Sequence, residues 1–189
     1  MVDSAGIDTA ARQAFEDRRY EDAYERYLPL AHDGWLEAML RVGWMLRFGQ
    51  GVAADADACE RWYRAAAENG DPLALFYLGD LFWHQDKWSQ AFLYMSRAAE
   101  QHDPPALYRL GTFHEWGVGT PKDFTKAKEL YERAAELGHL FARRQLVGPV
   151  LRGQFGAAAI PRGLLEFLRI LRDVFREGLR NPGSDLLRK

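Results

Sequence analysis

Small residues recur along this chain in a fixed register. Ala23, Cys59, Ala91 and Ala127 are separated by steps of 36, 32 and 36. Ala31, Ala67, Ala99 and Ala135 keep those steps, and so do Gly34, Gly70, His102 and Gly138. A further series, Ala38, Ala74, Ala106 and Ala142, is followed by the apolar Val42, Leu78, Leu110 and Leu146. The next residue is Gly43, Gly79 and Gly111, with Val147 breaking the set. Self-similarity on this scale is the mark of a repeat array, in which each unit buries its apolar face only against its neighbours. Within a unit the apolar residues keep three- and four-residue steps, as in Val42 and Leu46, Leu78 and Phe82, or Tyr63, Ala66 and Ala67. That spacing is helical. It predicts two helices per unit: in the second unit a helix A over Leu36 to Phe48 and a helix B over Asp57 to Asn69.

Glycine in a helix interior costs about 1 kcal/mol against alanine. Its recurrence at Gly43, Gly79 and Gly111 implies a close approach of two helices, and Ala23, Cys59, Ala91 and Ala127 supply the matching small surface on helix B. The A-to-B linker has a long form, Gly49-Gln50-Gly51-Val52-Ala53-Ala54-Asp55 and Gly117-Val118-Gly119-Thr120-Pro121-Lys122-Asp123. Its glycines suit a helix end and its Asp suits the next N-cap. The third unit has only His84-Gln85-Asp86-Lys87-Trp88, four residues shorter, which accounts for the 32-residue step.

The motifs Ala-x-x-x-Leu-Gly, Gly-x-Gly-Val-x-x-Asp and Ala-x-x-x-Tyr-x-x-Ala-Ala-x-x-Gly resemble the Sel-1-like repeat, a relative of the tetratricopeptide repeat. Arg109-Leu110-Gly111 through Gly138 matches most fully, and Val42-Gly43 through Gly70 nearly as well. The units at Tyr20 to Gly34 and around Trp88-x-x-Ala91 are more similar to tetratricopeptide units. Leu46 and His114 stand where the family usually has Tyr. The resemblance implies an all-α, right-handed superhelix whose A helices line a concave face. It spans residues 5–147, as units 5–34, 35–70, 71–102 and 103–138 and a half-unit 139–147. Relatives of this kind act as adaptors in bacterial envelope, exopolysaccharide and signalling pathways, and some neutralise toxins.

Beyond Val147 the register stops, and Gly148-Pro149 predicts a break. The segment 148–189 reads as a separate tail. Pro161 opens a predicted helix over Arg162 to Arg180, with Leu164, Phe167, Leu168, Leu171, Val174 and Phe175 on one side and Arg162, Arg169, Arg172, Arg176 and Arg180 on the other. Residues 1–139 hold 15 Lys and Arg against 23 Asp and Glu, whereas residues 140–189 hold 10 against 4, so an acidic body carries a basic tail. An acidic body repels phosphate and speaks against nucleic-acid binding. The tail fits three roles: a cap on the open end of the array, a dimerisation helix, or a helix lying on an anionic membrane surface.

A hydrophobic content of 48% supplies a core and excludes disorder as the main state. The one cysteine excludes a disulfide framework and a cysteine-built zinc site. The start of the chain lacks the apolar core of a secretion signal, and no stretch is long and apolar enough to span a bilayer, so a cytoplasmic protein is expected. No catalytic constellation is legible and no cofactor or metal is expected. Gly49/Gly51 and Gly117/Gly119 follow helices and lack the Lys-Ser/Thr of a phosphate loop. His32, His102 and His139 fall near the ends of B helices, where a donor suits the terminal carbonyls.

The expected function is therefore a non-enzymatic scaffold that holds a protein segment in the concave groove. Counting along helix A from its small positions selects Trp44, Arg47, Phe76, Asp80, Trp83, Tyr108, Thr112 and Glu115 as groove residues, with Leu40 and Phe76 equally suited to packing between repeats. Trp44, Asp80, Trp83 and Glu115 are the ones expected to be exposed. A hydrolase is the competing reading. It needs a base and a nucleophile to converge in the groove, and only Asp80, His84, His114 and Glu115 could supply them.

Overall fold

The computed structural model describes residues 4–151 together with residues 168, 169, 172 and 176. The described chain folds into α1 (Ser4–Glu16), α2 (Tyr20–His32), α3 (Leu36–Phe48), α4 (Ala56–Ala67), α5 (Pro72–His84), α6 (Trp88–Glu100), α7 (Pro104–Trp116), α8 (Phe124–Glu136) and α9 (Leu140–Leu151). No strand occurs among the described residues. The fold class is the predicted one, an all-α repeat solenoid, with the A helices at α1, α3, α5, α7 and α9 and the B helices between them. The predicted bounds of α3 hold at both ends, and α4 ends two residues earlier than the periodicity suggested.

The chain groups into two compact units, Met1–Gln85 and Asp86–Lys189. In the first, α1 packs on α2, α2 on α3, α3 on α4 and α4 on α5, and α3 also reaches α5. In the second, α6 packs on α7, α7 on α8 and α8 on α9. Short connections leave successive helices antiparallel. The division falls in the short third linker.

Local chemistry sets the helix ends. The carboxylates of Asp55 and Asp123 accept from the Ala58 and Lys126 amides and cap α4 and α8, as the linker motif predicts. Asp71 and Asp103 cap α5 and α7 in the same way. Each is followed by proline in the first turn, Pro72 and Pro104, whose missing N–H costs nothing there. Gly49 and Gly117 close α3 and α7 in the left-handed conformation. The second glycine of each long linker has a steric task. A Cβ on Gly51 would lie 2.2 Å from the Tyr20 carbonyl carbon, and one on Gly119 would lie 3.0 Å from the Trp88 carbonyl oxygen. Each Gly-x-Gly loop thus rests on the first residue of the preceding B helix.

The interior glycines also report a close approach, but to a different surface from the one expected. A Cβ on Gly43 would sit 2.5 Å from Tyr63 Cε1, and one on Gly111 would sit 2.5 Å from Tyr131 Cε1. The space that glycine vacates is filled by a tyrosine ring from helix B. The Ala23, Cys59, Ala91 and Ala127 series is buried. Cys59 is a free, buried thiol whose pKa burial pushes up to about 12, so it stays protonated filler.

Two further readings need refining. His139 is fully buried and serves both neighbours: its backbone N–H donates to the Ala134 carbonyl in the last turn of α8, and its Nδ1 accepts from the Ala142 amide at the start of α9. The helix does not break at Gly148-Pro149 but runs to Leu151. Proline there removes a single backbone hydrogen bond of the helix. The predicted tail helix at 162–180 lies outside the described residues except for Leu168, Arg169, Arg172 and Arg176, which are helical and exposed.

Candidate functional site

In the first unit the predicted groove residues come from α3 and α5. Trp44 is half-buried, edge-on to Phe15 at 5.3 Å and tilted against Tyr20 and Phe48. Phe48, one helical turn on, is 51% exposed and lies under the Arg47 guanidinium at 5.1 Å. Arg47 Nη1 donates to Asp80 Oδ2 at 2.9 Å, which ties α3 to α5. Both side chains of this pair retain about one-seventh of their surface. Water is thus partly excluded from the pair, which strengthens the attraction relative to a surface salt bridge. His84 Nε2 stands 3.7 Å from the same carboxylate oxygen and is well exposed. Trp83 is half-buried. Phe76 and Leu40 are buried, and Phe76 packs edge-on to Tyr77.

In the second unit the residues come from α7 and meet α8 and α9. The Tyr131 hydroxyl donates to Glu115 Oε2 at 2.6 Å, and Gln145 Nε2 donates to both Glu115 oxygens at 2.9 Å. Glu115 is half-buried. Tyr131 has its pKa driven far above the usual phenol range, first by burial and then by the Glu115 carboxylate, which accepts a hydrogen bond from the protonated phenol. Half-buried Tyr108 lies tilted against His139 at 4.8 Å and against Tyr131 at 5.6 Å. Thr112 is buried, since its hydroxyl donates to the Arg109 carbonyl one turn back and needs no outside partner.

The sequence-selected residues therefore separate physically. Trp44, Arg47, Asp80, Trp83, Tyr108 and Glu115 keep surface, whereas Phe76 and Thr112 are core. The four groups a hydrolase would need do not form a working set within either unit. Asp80 is engaged by Arg47, and its contact with His84 is longer than a hydrogen bond. His114 is buried edge-on to Phe92, with its pKa lowered chiefly by burial and next by Lys126. Glu115 is held by neutral donors. Among the described residues no group of His, Cys, Asp or Glu is arranged to hold a metal ion.

The counting missed two features. Gln145, the fixing partner of Glu115, lies one 36-residue step beyond Arg109. Extending the register of charged A-helix positions into α9 finds it. The other is a cleft of about 1010 Å³ between α2, α4 and the loop before α4, lined by Tyr24, Leu28, His32, Val52, Arg61 and Trp62. His32 meets Trp62 edge-on at 5.1 Å there. It lies on the B-helix side, where the sequence analysis selected no residues.

The family profile described as Sel1 repeat matches residues 36–71, 72–103 and 104–139, which includes the unit with the short linker. The α1–α2 pair lies outside those matches. An uncharacterised protein of Neisseria meningitidis serogroup B is 28% identical over 163 residues, covering 68% of this chain and 35% of that protein. HRD3A of Arabidopsis thaliana, an ERAD-associated E3 ubiquitin-protein ligase component, is 29% identical over 128 residues, covering 58% of this chain and 19% of its own. The chain thus spans about a third or less of the length of these curated relatives. The crystal structure of a Sel1 repeat protein from Oxalobacter formigenes aligns with a TM-score of 0.76 at 26% identity, over 88% of this chain and 69% of that one.

Proposed function

Because the chain belongs to the Sel1 repeat family, we propose that it is a non-catalytic scaffold that binds a segment of another protein along its A-helix faces. The observation that carries this reading is the Arg47–Asp80 pair: a polar bridge across successive A helices, with the part-exposed Trp44 and Trp83 beside it in sequence register. Aromatic and arginine side chains are the residue types that anchor protein interfaces. A surface tied from helix to helix loses little freedom when a partner docks. Tyr108 and Glu115 present the corresponding face of the second unit. The relative named as a ubiquitin-ligase component is consistent with such a role. Asp80 is paired with Arg47, and Glu115 accepts from Tyr131 and Gln145, which suits fixed recognition points on these faces. A reducing compartment suits the free thiol of Cys59, and among the described residues no helix is long and apolar enough to cross a membrane.

Affinity capture with mass spectrometry tests the reading, comparing wild type with a Trp44→Leu/Trp83→Ala variant. Leucine at 44 keeps an apolar residue against Phe15, Tyr20 and Phe48, and circular dichroism establishes that both proteins fold. A protein captured by wild type and lost from the variant supports the A-helix face. Equal retention by both places the contact elsewhere.

A further inference from the structure

Three residues occupy one register position on successive A helices: Arg47, Trp83 and Glu115. Their electrostatic situations differ. Arg47 is neutralised by Asp80 within its own unit. Glu115 is held by groups without charge: the Tyr131 hydroxyl donates to Oε2, and the Gln145 amide nitrogen stands equally close to both carboxylate oxygens in a bifurcated contact. None of the described cationic side chains forms an ion pair with it. Arg109 and Arg144 are near enough to act on the Tyr108 phenol, yet neither pairs with the carboxylate.

The donors that hold this half-buried carboxylate are all neutral, so none of them supplies an ion-pair partner. Its orientation is fixed from two sides, by α8 through Tyr131 and by α9 through Gln145. An ionised carboxylate offers about four acceptor positions. Two donor groups use part of that capacity, and Oε1 keeps the most of it, since its one contact is the shared Gln145 amide. The aromatic rings of Tyr108 and Tyr131 lie in the same unit, with Tyr108 half-buried. The arginines described in the chain's own tail, Arg169, Arg172 and Arg176, are exposed.

We propose that Glu115, oriented by Tyr131 and Gln145, is a receptor for one cationic side chain, arginine or lysine, of the bound protein segment. This rests on the A-helix-face reading and adds the charge of the residue that the second unit selects. Docking of the cation returns the counter-charge that Glu115 lacks, and the rigid frame means that little reorganisation accompanies it.

The test is an NMR titration of the full chain with capped tripeptides Gly-Arg-Gly, Gly-Lys-Gly, Gly-Glu-Gly and Gly-norleucine-Gly. The readout is the Gln145 side-chain amide. The expected result is a saturable shift with the Arg and Lys peptides, reduced by added salt and absent with the other two. Glu115→Gln, which keeps shape and removes charge, is expected to weaken the Arg peptide by about tenfold or more. Glu115→Asp, which keeps the charge on a shorter stem, retains the preference for cations at lower affinity. Equal shifts with the Glu or norleucine peptide, or an Arg response unchanged in Glu115→Gln, would overturn the proposal. A captured partner lost from the Trp44→Leu/Trp83→Ala variant but kept by Glu115→Gln removes this receptor alone. A partner kept by both removes the A-helix-face reading as well.

Discussion

Replacing Gly111 with alanine sets two effects of opposite sign against each other. Alanine gains about 1 kcal/mol over glycine in a helix interior. Against that, the new Cβ would stand 2.5 Å from Tyr131 Cε1, 2.8 Å from Cδ1 and 3.1 Å from Cζ. Carbon atoms prefer separations of about 3.5 to 4.0 Å. A whole ring edge must therefore retreat, and overpacking of this kind costs about 1–3 kcal/mol. The ring cannot retreat without moving its hydroxyl from Glu115, now 2.6 Å away. A hydrogen bond to a charged group is worth about 1.5–3 kcal/mol. The net expectation for Gly111→Ala is a loss of about 2–4 kcal/mol. Gly43→Ala makes the matching clash with Tyr63, whose hydroxyl is not held by a carboxylate, so its loss is smaller, about 0–2 kcal/mol. Urea unfolding followed by circular dichroism measures both. In the double variant Gly111→Ala/Tyr131→Leu the clash is gone, and the loss is less than the sum of the single losses. A Gly111→Ala protein as stable as wild type, or additive losses in the double variant, would refute the steric account.

His114 is buried in its neutral form and its pKa is lowered below 6.5, so the unfolded chain takes up the proton first. Stability is therefore full above that pH, falls as the pH drops through it, and levels once the folded ring protonates too; His114→Phe flattens the dependence of the urea midpoint between about pH 7.5 and 5.5. His102 holds a left-handed φ of 62° at the position where Gly34, Gly70 and Gly138 stand, so His102→Gly raises stability by about 1 kcal/mol in the same assay. Asp123→Ala removes the carboxylate that receives the Lys126 amide and lowers stability by about 1 kcal/mol, with Asp123→Asn recovering most of it.

Much of this architecture is legible in residue order because the signals are local. The three- and four-residue apolar steps, the glycines after Phe48 and Trp116 and the aspartates before α4 and α8 each act within a turn or two of chain. What the glycines of helix A face was not legible, since the partner ring comes from another helix and the register alone pairs small with small. Tyr63 and Tyr131 lie only one turn from Cys59 and Ala127, and the larger residue claims the space. The groove residues show the same limit. Counting along a helix cannot tell Thr112, whose hydroxyl is satisfied by its own backbone, from Glu115, which must find donors on α8 and α9. His139 shows a related limit. A histidine between two helices can serve the carbonyls of one and the amides of the next, and its position in the register does not show the second task.

Hydrogen–deuterium exchange on the chain, alone and with a partner captured by wild type, tests the central claim most directly. The account predicts added protection in α3, α5 and α7, spread over peptides that contain Arg47, Trp83 and Glu115. Protection confined to α2, α4 and the loop between Gly49 and Asp55, where the cleft lined by Trp62 lies, would contradict it.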